Sequence, residues 1–304
     1  MTLSHVRIGI DVGGTKIAGA VLAPNDEVLA EMQVATPRED YEATLMAIAD
    51  IVTDLEKSVR QGTASVGVGI PGSILPKTGL VQNANATWIN GRPMRDDLTR
   101  LLRRLVRCAN DANCFVLSEA ADGAGLGAKS IFGVMLGSGG GGGFVFNRRL
   151  VDGPRANAGE WSHNPLPWPE QHELPGPRCW CGKHGCLETW VSAPGIERDF
   201  LDTTGRDLSA EDIAAARDSD PEAKAALDRH ASRLARGMAT VVNILDPEVI
   251  VLGGSLSKMD HLYADLPRLM APYIFSQDRT LDIRRPVHGP NSGVRGAARL
   301  WEMA

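Results

Sequence analysis

Two segments of this chain share one arrangement, in which an apolar, strand-like stretch turns sharply at glycines and continues into a second apolar stretch. The first segment spans residues 6–22 and turns at Gly13 and Gly14. The second spans residues 131–146 and turns at residues 137–143, where every position except Ser138 is glycine. A polar turn follows each segment. Two copies of one strand-turn-strand unit predict a duplicated architecture of two related halves.

Helix-like and strand-like patterns alternate along the rest of the chain. Apolar residues recur at helical spacing over residues 41–59, after a capping Asp40, and over residues 227–245, before Asp246 and Pro247. Short apolar stretches, which are typical of strands, occupy residues 66–70, 105–109 and 249–252. This alternation predicts an α/β fold. We expect a small N-terminal domain over residues 1–116, a large domain over residues 117–292, and a C-terminal helix (293–304) that packs back onto the small domain.

Composition and charge restrict the class of function. Of the 304 residues, 43% are hydrophobic and 23% are charged, which is ordinary for a globular protein. A net charge of −5 gives no electrostatic footprint for nucleic acid or for an anionic membrane surface. No apolar run reaches the roughly 18 residues that span a bilayer, and the N-terminus does not resemble a signal peptide. We therefore expect a cytoplasmic protein with neither nucleic-acid nor membrane partners.

Glycine turns can bind phosphate groups, because they bring backbone N–H groups close to phosphate oxygens. The first turn adds a carboxylate, a hydroxyl and a cation, and Asp11 could hold Mg²⁺ through water. A single glycine turn is more often a plain hairpin, but three turns in this order favour a nucleotide site. The chain lacks the glycine patterns of Walker loops and dinucleotide folds. The residues that we predict to bind ATP are Asp11, Gly13, Gly14, Thr15, Lys16, Gly137, Ser138, Gly139, Gly253 and Gly254.

A carboxylate follows the strand-like residues 105–109. Asp111 lies at the carboxyl end of this predicted strand, where α/β enzymes place their chemistry, and we expect a helix from about Cys114. An ionised carboxylate at this position can accept the proton of an alcohol during phosphoryl transfer. The alternative is that Asp111 or Asn113 only caps the helix that follows.

Three loops carry the amide and carboxylate groups that sugar hydroxyls require. They lie at residues 83–88, at residues 160–163 and at Glu188. Each of these side chains could instead be a solvated surface residue, which is the commonest place for Glu and Asn.

Three of the five cysteines fall within eight residues, at Cys179, Cys181 and Cys186. This spacing favours a metal site over a disulfide framework. His163 completes a Cys₃His set, although His172 or His184 could take its place. Four protein ligands leave no open position, so a bound Zn²⁺ would be structural. The alternative is a group of reduced cysteines that bind nothing.

These motifs together resemble the ROK family (repressors, open reading frames and sugar kinases) over the whole chain. The family's E-x-G-H signature corresponds to residues 160–163, with Ser162 in the place of glycine, and its C-x-C-G-x-x-G-C-x-E signature is intact over residues 179–188. The resemblance implies an actin-like ATPase fold with two α/β domains around a central cleft, Asp111 as catalytic base, and a homodimer formed through the large domain. It also implies that sugar is bound by Gly72, Asn85, Asn110, Asp111, Glu160, His163 and Glu188.

The chain departs from the family pattern in two regions, the second phosphate loop and the stretch that precedes the clustered cysteines. Ser138 replaces a threonine in the second phosphate loop, whose remaining positions are all glycine, and we expect this loop to be more flexible than usual. The stretch between His163 and Cys179 is long and rich in proline.

Within the family, residues 83–91 and 159–168 look most like fructokinases that also accept mannose. N-acetylglucosamine kinases are the second possibility and glucokinases the third. A sugar-responsive repressor of the same family would carry a helix-turn-helix before the first strand. Only seven residues precede Ile8, so we expect no DNA reader and favour an enzyme over a sensor that binds sugar without turnover.

Overall fold

The chain divides into two compact units. The computed structural model describes residues 6–59 and 63–303. The first unit comprises Met1–Gly127, Gly143–Ala158 and Val287–Ala304, and the second comprises Ala128–Gly142 and Gly159–Pro286. Three separate stretches of sequence therefore build the first unit, and one of the boundaries between the units falls inside the glycine run, between Gly142 and Gly143.

Strands and helices alternate along the described residues. The strands are β1 (Arg7–Val12), β2 (Lys16–Leu22), β3 (Val28–Ala35), β4 (Ser65–Ile70), β5 (Ser73–Ile74), β6 (Val81–Gln82), β7 (Val106–Asn110), β8 (Ser130–Leu136), β9 (Gly140–Phe146), β10 (Arg149–Leu150), β11 (Val249–Gly253) and β12 (Ile283–Arg284). The helices are α1 (Tyr41–Val59), α2 (Met94–Leu102), α3 (Asp111–Asp122), α4 (Glu188–Val191), α5 (Ala193–Thr204), α6 (Ala210–Ala215), α7 (Pro221–Leu245), α8 (Asp260–Met270) and α9 (Ser292–Arg299). Short 3-10 turns include Trp161–His163, Ser255–Lys258 and Leu300–Met303.

The sheet of the first unit has the strand order β3-β2-β1-β4-β7. Strands β1 and β2 form the predicted antiparallel hairpin, in which Asp11 pairs with Ala18. Strands β4 and β7 continue the sheet in parallel with β1. The carboxyl ends of β1, β4 and β7 therefore lie at one edge, which is where Asp11 and Asn110 are found.

The second unit contains the other predicted glycine turn. Strand β8 pairs in parallel with β11, and β11 pairs in parallel with β12. Strand β8 ends at Leu136 and the chain turns at residues 137–139. The glycines at 140–143 belong to strand β9. The prediction that the whole glycine run forms the turn was therefore wrong, because glycine can also occupy a strand where neighbouring atoms approach closely.

The two long predicted helices are confirmed. The Oδ1 atom of Asp40 accepts a hydrogen bond of 2.9 Å from the Ala43 N–H at the start of α1. Helix α7 ends at Asp246, whose left-handed φ of 45° terminates it before Pro247. Helix α3 begins at Asp111 rather than near Cys114, and the predicted domain boundary after residue 116 falls inside it. Along residues 6–59 and 63–303, none of the helices has the length and apolar character that crossing a membrane requires.

Helix α9 packs against the first sheet at glycine positions. A Cβ atom added to Gly9 on β1 would lie 1.8 Å from the carbonyl oxygen of Val294, and one added to Gly67 on β4 would lie 1.9 Å from that of Ala297. On the helix itself, a Cβ atom at Gly296 would lie 1.7 Å from the carbonyl oxygen of Cys114 in α3. Backbone therefore contacts backbone across these elements, and no side chain fits at these positions.

A buried carboxylate holds the chain where it re-enters the first unit. Glu119 in α3 accepts hydrogen bonds from the N–H groups of Val287 and His288, at 2.9 and 3.1 Å, and from the Ser292 hydroxyl at 2.7 Å. It also accepts one of 2.9 Å from the Ala124 N–H, close to where the chain leaves this unit. Hydrogen bonds to a carboxylate are stronger than those between neutral groups, so Glu119 fixes the start of α9.

The proline-rich stretch after His163 is anchored to α7 by buried ion pairs. The Glu173 carboxylate accepts two hydrogen bonds of 2.7 Å from the Arg236 guanidinium and one of 2.8 Å from Arg233. Both arginines and the glutamate are almost completely buried. Burial by itself would raise the pKa of Glu173, but the hydrogen bonds from Arg236 and Arg233 lower it from 4.5 to about 2. The carboxylate therefore stays ionised inside the second unit.

We expect the variant Glu173→Gln to lose about 3–5 kcal/mol of unfolding free energy, because the Arg236 guanidinium would remain buried without its counter-charge, whereas Arg233 would keep its ion pair with Asp199. In the wild type the lowered pKa stabilises the fold above pH 4.5, and this contribution is lost as the pH falls toward about 2. The variant should lack that part of the pH dependence. Urea unfolding at several pH values measures both effects. The control is Asp218→Asn, whose side chain is 96% exposed, so its removal should change little.

Candidate active site

Two carboxylates lie at the strand edge of the first unit. Asp11 is the fifth residue of β1, and Asp111 is the first residue of α3, directly after β7. Burial, and to a smaller extent the charge of Asp111, raises the pKa of Asp11 from 3.8 to about 7, whereas Lys16 lowers it in part. The two acids are therefore close enough to repel each other when both are ionised. A cation held there would relieve that repulsion, and carboxylate oxygens are the ligands that Mg²⁺ prefers.

Glycine provides the space beside Asp11. A Cβ atom added to Gly293, the second residue of α9, would lie 2.4 Å from the Oδ2 atom of Asp11. Sequence reasoning did not include Gly293 among the site residues. Its only signal was its position in the glycine-containing stretch 293–296 that opens the terminal helix.

Asp111 is held by the backbone of its own helix. Its Oδ1 atom accepts a hydrogen bond of 2.8 Å from the Ala112 N–H. Burial raises the pKa of Asp111, while the Ala112 N–H and the Asn110 side chain oppose the change. A raised pKa makes the carboxylate a better proton acceptor while leaving it at the end of a strand, where a substrate alcohol can be bound.

Asn110 is the residue that caps α3. Its Oδ1 atom accepts hydrogen bonds from the Ala112 and Asn113 N–H groups, at 2.9 and 3.2 Å. The alternative that Asp111 or Asn113 supplies the N-cap was therefore wrong. The Asn110 amide also donates a 3.0 Å hydrogen bond to the carbonyl oxygen of Gly72, so two predicted sugar-binding residues contact each other. Gly72 has a φ of +72°, and a Cβ atom there would lie 2.2 Å from the Gln82 carbonyl oxygen.

The loop of residues 83–90 is stabilised by an asparagine that the sequence did not single out. Asn90 accepts a hydrogen bond of 2.9 Å from the Ala84 N–H and donates one of 2.8 Å to the Ala84 carbonyl. Asn85, the residue predicted to contact sugar, is exposed on this loop. The loop is therefore a fixed platform with Asn85 on its surface.

The first predicted phosphate loop is an exposed, tightly closed hairpin. The Gly13 N–H donates a hydrogen bond of 2.9 Å to the Lys16 carbonyl. The Thr36 hydroxyl donates one of 2.7 Å to the Gly13 carbonyl, which attaches the turn to β3. Gly14, Thr15 and Lys16 are exposed, so their backbone and side-chain donors are accessible to a ligand.

The second predicted phosphate loop is braced on several sides within the second unit. Gly137 accepts a hydrogen bond of 2.7 Å from the Ala193 N–H, and its own N–H donates to Gly139 at 3.0 Å. The Ser162 hydroxyl donates a hydrogen bond of 2.7 Å to the Gly140 carbonyl. The serine that replaces the family's usual glycine therefore contacts the loop directly. Ser138 lies at the tip of this turn.

The glycines of β9 are in close contact with neighbouring side chains. A Cβ atom at Gly140 would lie 2.9 Å from the Cβ of Ser162, and one at Gly142 would lie 2.7 Å from the Trp161 ring. The Trp161 indole N–H also donates a hydrogen bond of 2.8 Å to the Gly141 carbonyl. We expected these glycines to make the loop more flexible. The close packing around them instead restrains the loop and requires glycine at these positions.

The third predicted glycine turn borders a cavity. Gly253 ends β11, and Gly254 has a φ of +80°; a Cβ atom there would lie 2.1 Å from the Leu136 carbonyl oxygen. The turn continues into the 3-10 turn Ser255–Lys258, and α8 begins at Asp260. A cavity of about 600 Å³ in the second unit is lined by Ser255, Leu256 and residues 258–261, and by residues in and next to α5 and α6. Its size suits a ligand such as a nucleoside.

His163 and the three clustered cysteines lie together. Their ligand atoms are all within 4.8 Å of one another. The Sγ atoms of Cys181 and Cys186 are 3.6 Å apart, and the Sγ atom of Cys179 is 3.6 Å from the Nδ1 atom of His163. A tetrahedral zinc site with Zn–S bonds of about 2.3 Å places sulfur atoms about 3.8 Å apart, so the four side chains fit that geometry. His172 is exposed beside Glu170, and His184 is exposed near Gly176.

Glu188 links the metal-binding residues to the second glycine loop. Its Oε2 atom accepts a hydrogen bond of 3.1 Å from the Gly140 N–H and lies 4.0 Å from the Nε2 atom of His163. His163 therefore directs Nδ1 toward the cysteines and Nε2 toward Glu188. Glu160, the remaining predicted sugar ligand, is half-buried and directly precedes the turn that carries His163.

Comparison with known proteins gives a consistent result. The model of the ROK family matches residues 7–304. The N-acetyl-D-glucosamine kinase of Pasteurella multocida is 37% identical over 303 residues, which cover 97% of this chain and 99% of that protein.

Solved structures agree with this match. The ROK hexokinase of Thermus thermophilus is 30% identical with a TM-score of 0.84, covering 96% of both chains. A ROK family glucokinase of Streptomyces griseus, solved with glucose and AMPPNP, is 26% identical with a TM-score of 0.80 and covers 97% of this chain and 98% of its own.

Proposed function

Because the chain belongs to the ROK family and is a sugar kinase with the actin-like ATPase fold, we propose that it phosphorylates the 6-hydroxyl of a hexose, with N-acetyl-D-glucosamine as the preferred substrate. The phosphoryl donor is Mg·ATP. The observation that carries the proposal is Asp111, a partly shielded carboxylate at the carboxyl end of β7 whose orientation is fixed by the Ala112 N–H. The choice of sugar rests on N-acetyl-D-glucosamine kinases that are 36–37% identical to this chain.

In the proposed reaction, the 6-hydroxyl oxygen of the sugar attacks the γ-phosphorus of ATP. The new P–O bond forms as the bond to the β-phosphate oxygen breaks, and Asp111 accepts the hydroxyl proton. Phosphoryl transfer depends mainly on position and on neutralised charge. Asp11 holds Mg²⁺ through water, and the exposed donors of Thr15 and Lys16 bind phosphate oxygens.

The second unit supplies the remaining contacts in this proposal. Gly137, Ser138 and Gly139 bind phosphate through backbone and hydroxyl donors. The adenosine occupies the cavity that follows Gly253 and Gly254, because that cavity is large enough and begins at a turn that permits close approach. The residues that bind the sugar hydroxyls in this proposal are Gly72, Asn85 and Asn110 of the first unit and Glu160, His163 and Glu188 of the second.

An ADP-release assay with N-acetylglucosamine, fructose, mannose and glucose tests both parts of the proposal. We expect the largest kcat/KM with N-acetylglucosamine. A larger value with fructose would favour the second candidate, which residues 83–91 and 159–168 support. ADP release with none of the sugars, together with sugar binding by calorimetry, would indicate a sensor and would refute the kinase assignment. The proposed assembly is a homodimer, which light scattering measures directly.

We propose Zn²⁺ as the ion held by His163, Cys179, Cys181 and Cys186, with the role of fixing the loop that carries Glu188. Cys181→Ser should lower the bound zinc from about one ion per chain to nearly none, and should lower Tm, because binding of a structural metal contributes to folding. The KM for sugar should rise, while the KM for ATP should stay within about twofold.

The matched control for this prediction is Cys108→Ser, which removes a thiol in the first unit outside the cluster. Zinc content is measured by plasma mass spectrometry. A full complement of zinc in the Cys181→Ser protein would show that Cys181 is not a ligand.

A further inference from the structure

Trp180 is a large aromatic side chain of the cysteine cluster for which the proposed function gives no role. It lies between two of the clustered cysteines, and its side chain is 57% exposed. An exposed indole offers both an apolar ring and an N–H donor, and tryptophan is enriched where such a ring contacts a partner. The contacts of Trp180 therefore need an explanation.

The indole of Trp180 makes a short hydrogen bond to Glu188. Its Nε1–H donates to the Oε1 atom of Glu188 at 2.6 Å. The other oxygen of the same carboxylate accepts the Gly140 N–H. Because one donor holds each oxygen, the carboxylate cannot rotate freely. A carboxylate has about four acceptor positions, so Glu188 can also accept hydrogen bonds from ligand hydroxyls.

The same indole also contacts His163. The two rings meet edge to face, with centroids 5.0 Å apart and an interplanar angle of 85°. One aromatic side chain thus contacts two of the residues that we assign to the sugar, His163 and Glu188. The remainder of the indole is open to solvent beside them, where a sugar could pack its apolar C–H groups against the ring.

We propose that Trp180 is a sugar-positioning residue. Its N–H group orients the Glu188 carboxylate toward the hydroxyls of a bound hexose, and its exposed ring forms an apolar wall beside them. This inference rests on the proposed function, in which Glu188 and His163 bind the sugar. It adds a residue that contributes to sugar affinity but to neither ATP binding nor proton transfer.

The test uses Trp180→Phe, which keeps an aromatic ring but removes the N–H donor, and Trp180→Ala, which removes both. We expect Trp180→Phe to raise the sugar KM and the calorimetric Kd about tenfold, since hydrogen bonds to charged groups are among the stronger ones. We expect a larger increase for Trp180→Ala. The kcat value should remain within about twofold, and the KM for ATP and the zinc content should not change.

Two controls separate this role from a general effect on structure. Trp168→Phe changes a similarly exposed tryptophan that packs on Tyr273, and it should leave sugar affinity unchanged. In a Glu188→Gln background, Trp180→Phe should have a much smaller effect than in the wild type, because both substitutions disturb one interaction.

Unchanged sugar affinity in both Trp180 variants would overturn the inference, and so would a loss of affinity that follows loss of zinc. Neither result would affect the proposed function, which depends on ADP release by the wild-type protein. If the wild type phosphorylated no sugar, the proposed function would fail first, and the calorimetric data would still show whether Trp180 affects binding.

Discussion

Replacing Asp111 with asparagine should lower kcat about a thousandfold, within the range that general-base catalysis usually contributes. Asparagine has nearly the same shape, and its side-chain oxygen can still accept the 2.8 Å hydrogen bond from the Ala112 N–H. The start of α3 should therefore be preserved. What is lost is the acceptor for the proton of the sugar hydroxyl, since an amide is not basic.

Steady-state ADP release measures the expected loss of kcat, and calorimetry measures whether sugar binding is retained. Sugar Kd, zinc content and Tm should stay close to the wild-type values. Asp54→Asn, an exposed aspartate of α1, is the control for general effects of removing a negative charge. An Asp111→Asn enzyme with kcat within tenfold of the wild type would eliminate Asp111 as the base.

The substitution Gly296→Ala should have the largest effect on stability. The added Cβ atom would lie 1.7 Å from the carbonyl oxygen of Cys114, which belongs to the backbone of α3 and cannot rotate away. Relief of this overlap requires α9 and α3 to separate, and α9 also contacts β1 and β4. We expect a loss of more than about 4 kcal/mol in the unfolding free energy, or no soluble protein at all.

Urea unfolding of Gly296→Ala should be compared with that of Gly14→Ala, since no atom lies within 4 Å of a Cβ added to Gly14. The Gly14 variant should unfold at nearly the wild-type urea concentration. Equal midpoints for the two variants would mean that α9 does not pack as tightly as the structure indicates.

The local elements were predictable because short-range patterns determine them. The β1–β2 hairpin follows from strands flanking a glycine turn, and α7 follows from its apolar spacing together with the stop at Asp246. The cysteine spacing likewise indicated a metal site, and the four ligand atoms do lie together. The hairpin, the helix and the cysteine spacing need only residues within a few positions of one another, whereas His163 lies 16 positions before Cys179.

Features that depend on distant contacts were not predictable. Asn110, Asp111 and Asn113 are all residue types that cap helices, and only the backbone path selects Asn110. The contact between Ser162 and the second glycine loop was not predictable either, because the Gly140 carbonyl that lies 2.7 Å from the Ser162 hydroxyl is 22 positions away in sequence. Glu119 is a similar case, since its acceptors bind donors that are up to 173 positions away in sequence.

Because three separate stretches of sequence build the first unit, its folding can be completed only when the last of them has been synthesised. Residues 1–127 are synthesised early, but α9, which closes β1 and β4, leaves the ribosome only after the whole of residues 159–286. The face of the first sheet that α9 contacts is therefore not covered by α9 until translation is nearly complete. Apolar surface that stays exposed during that interval favours aggregation.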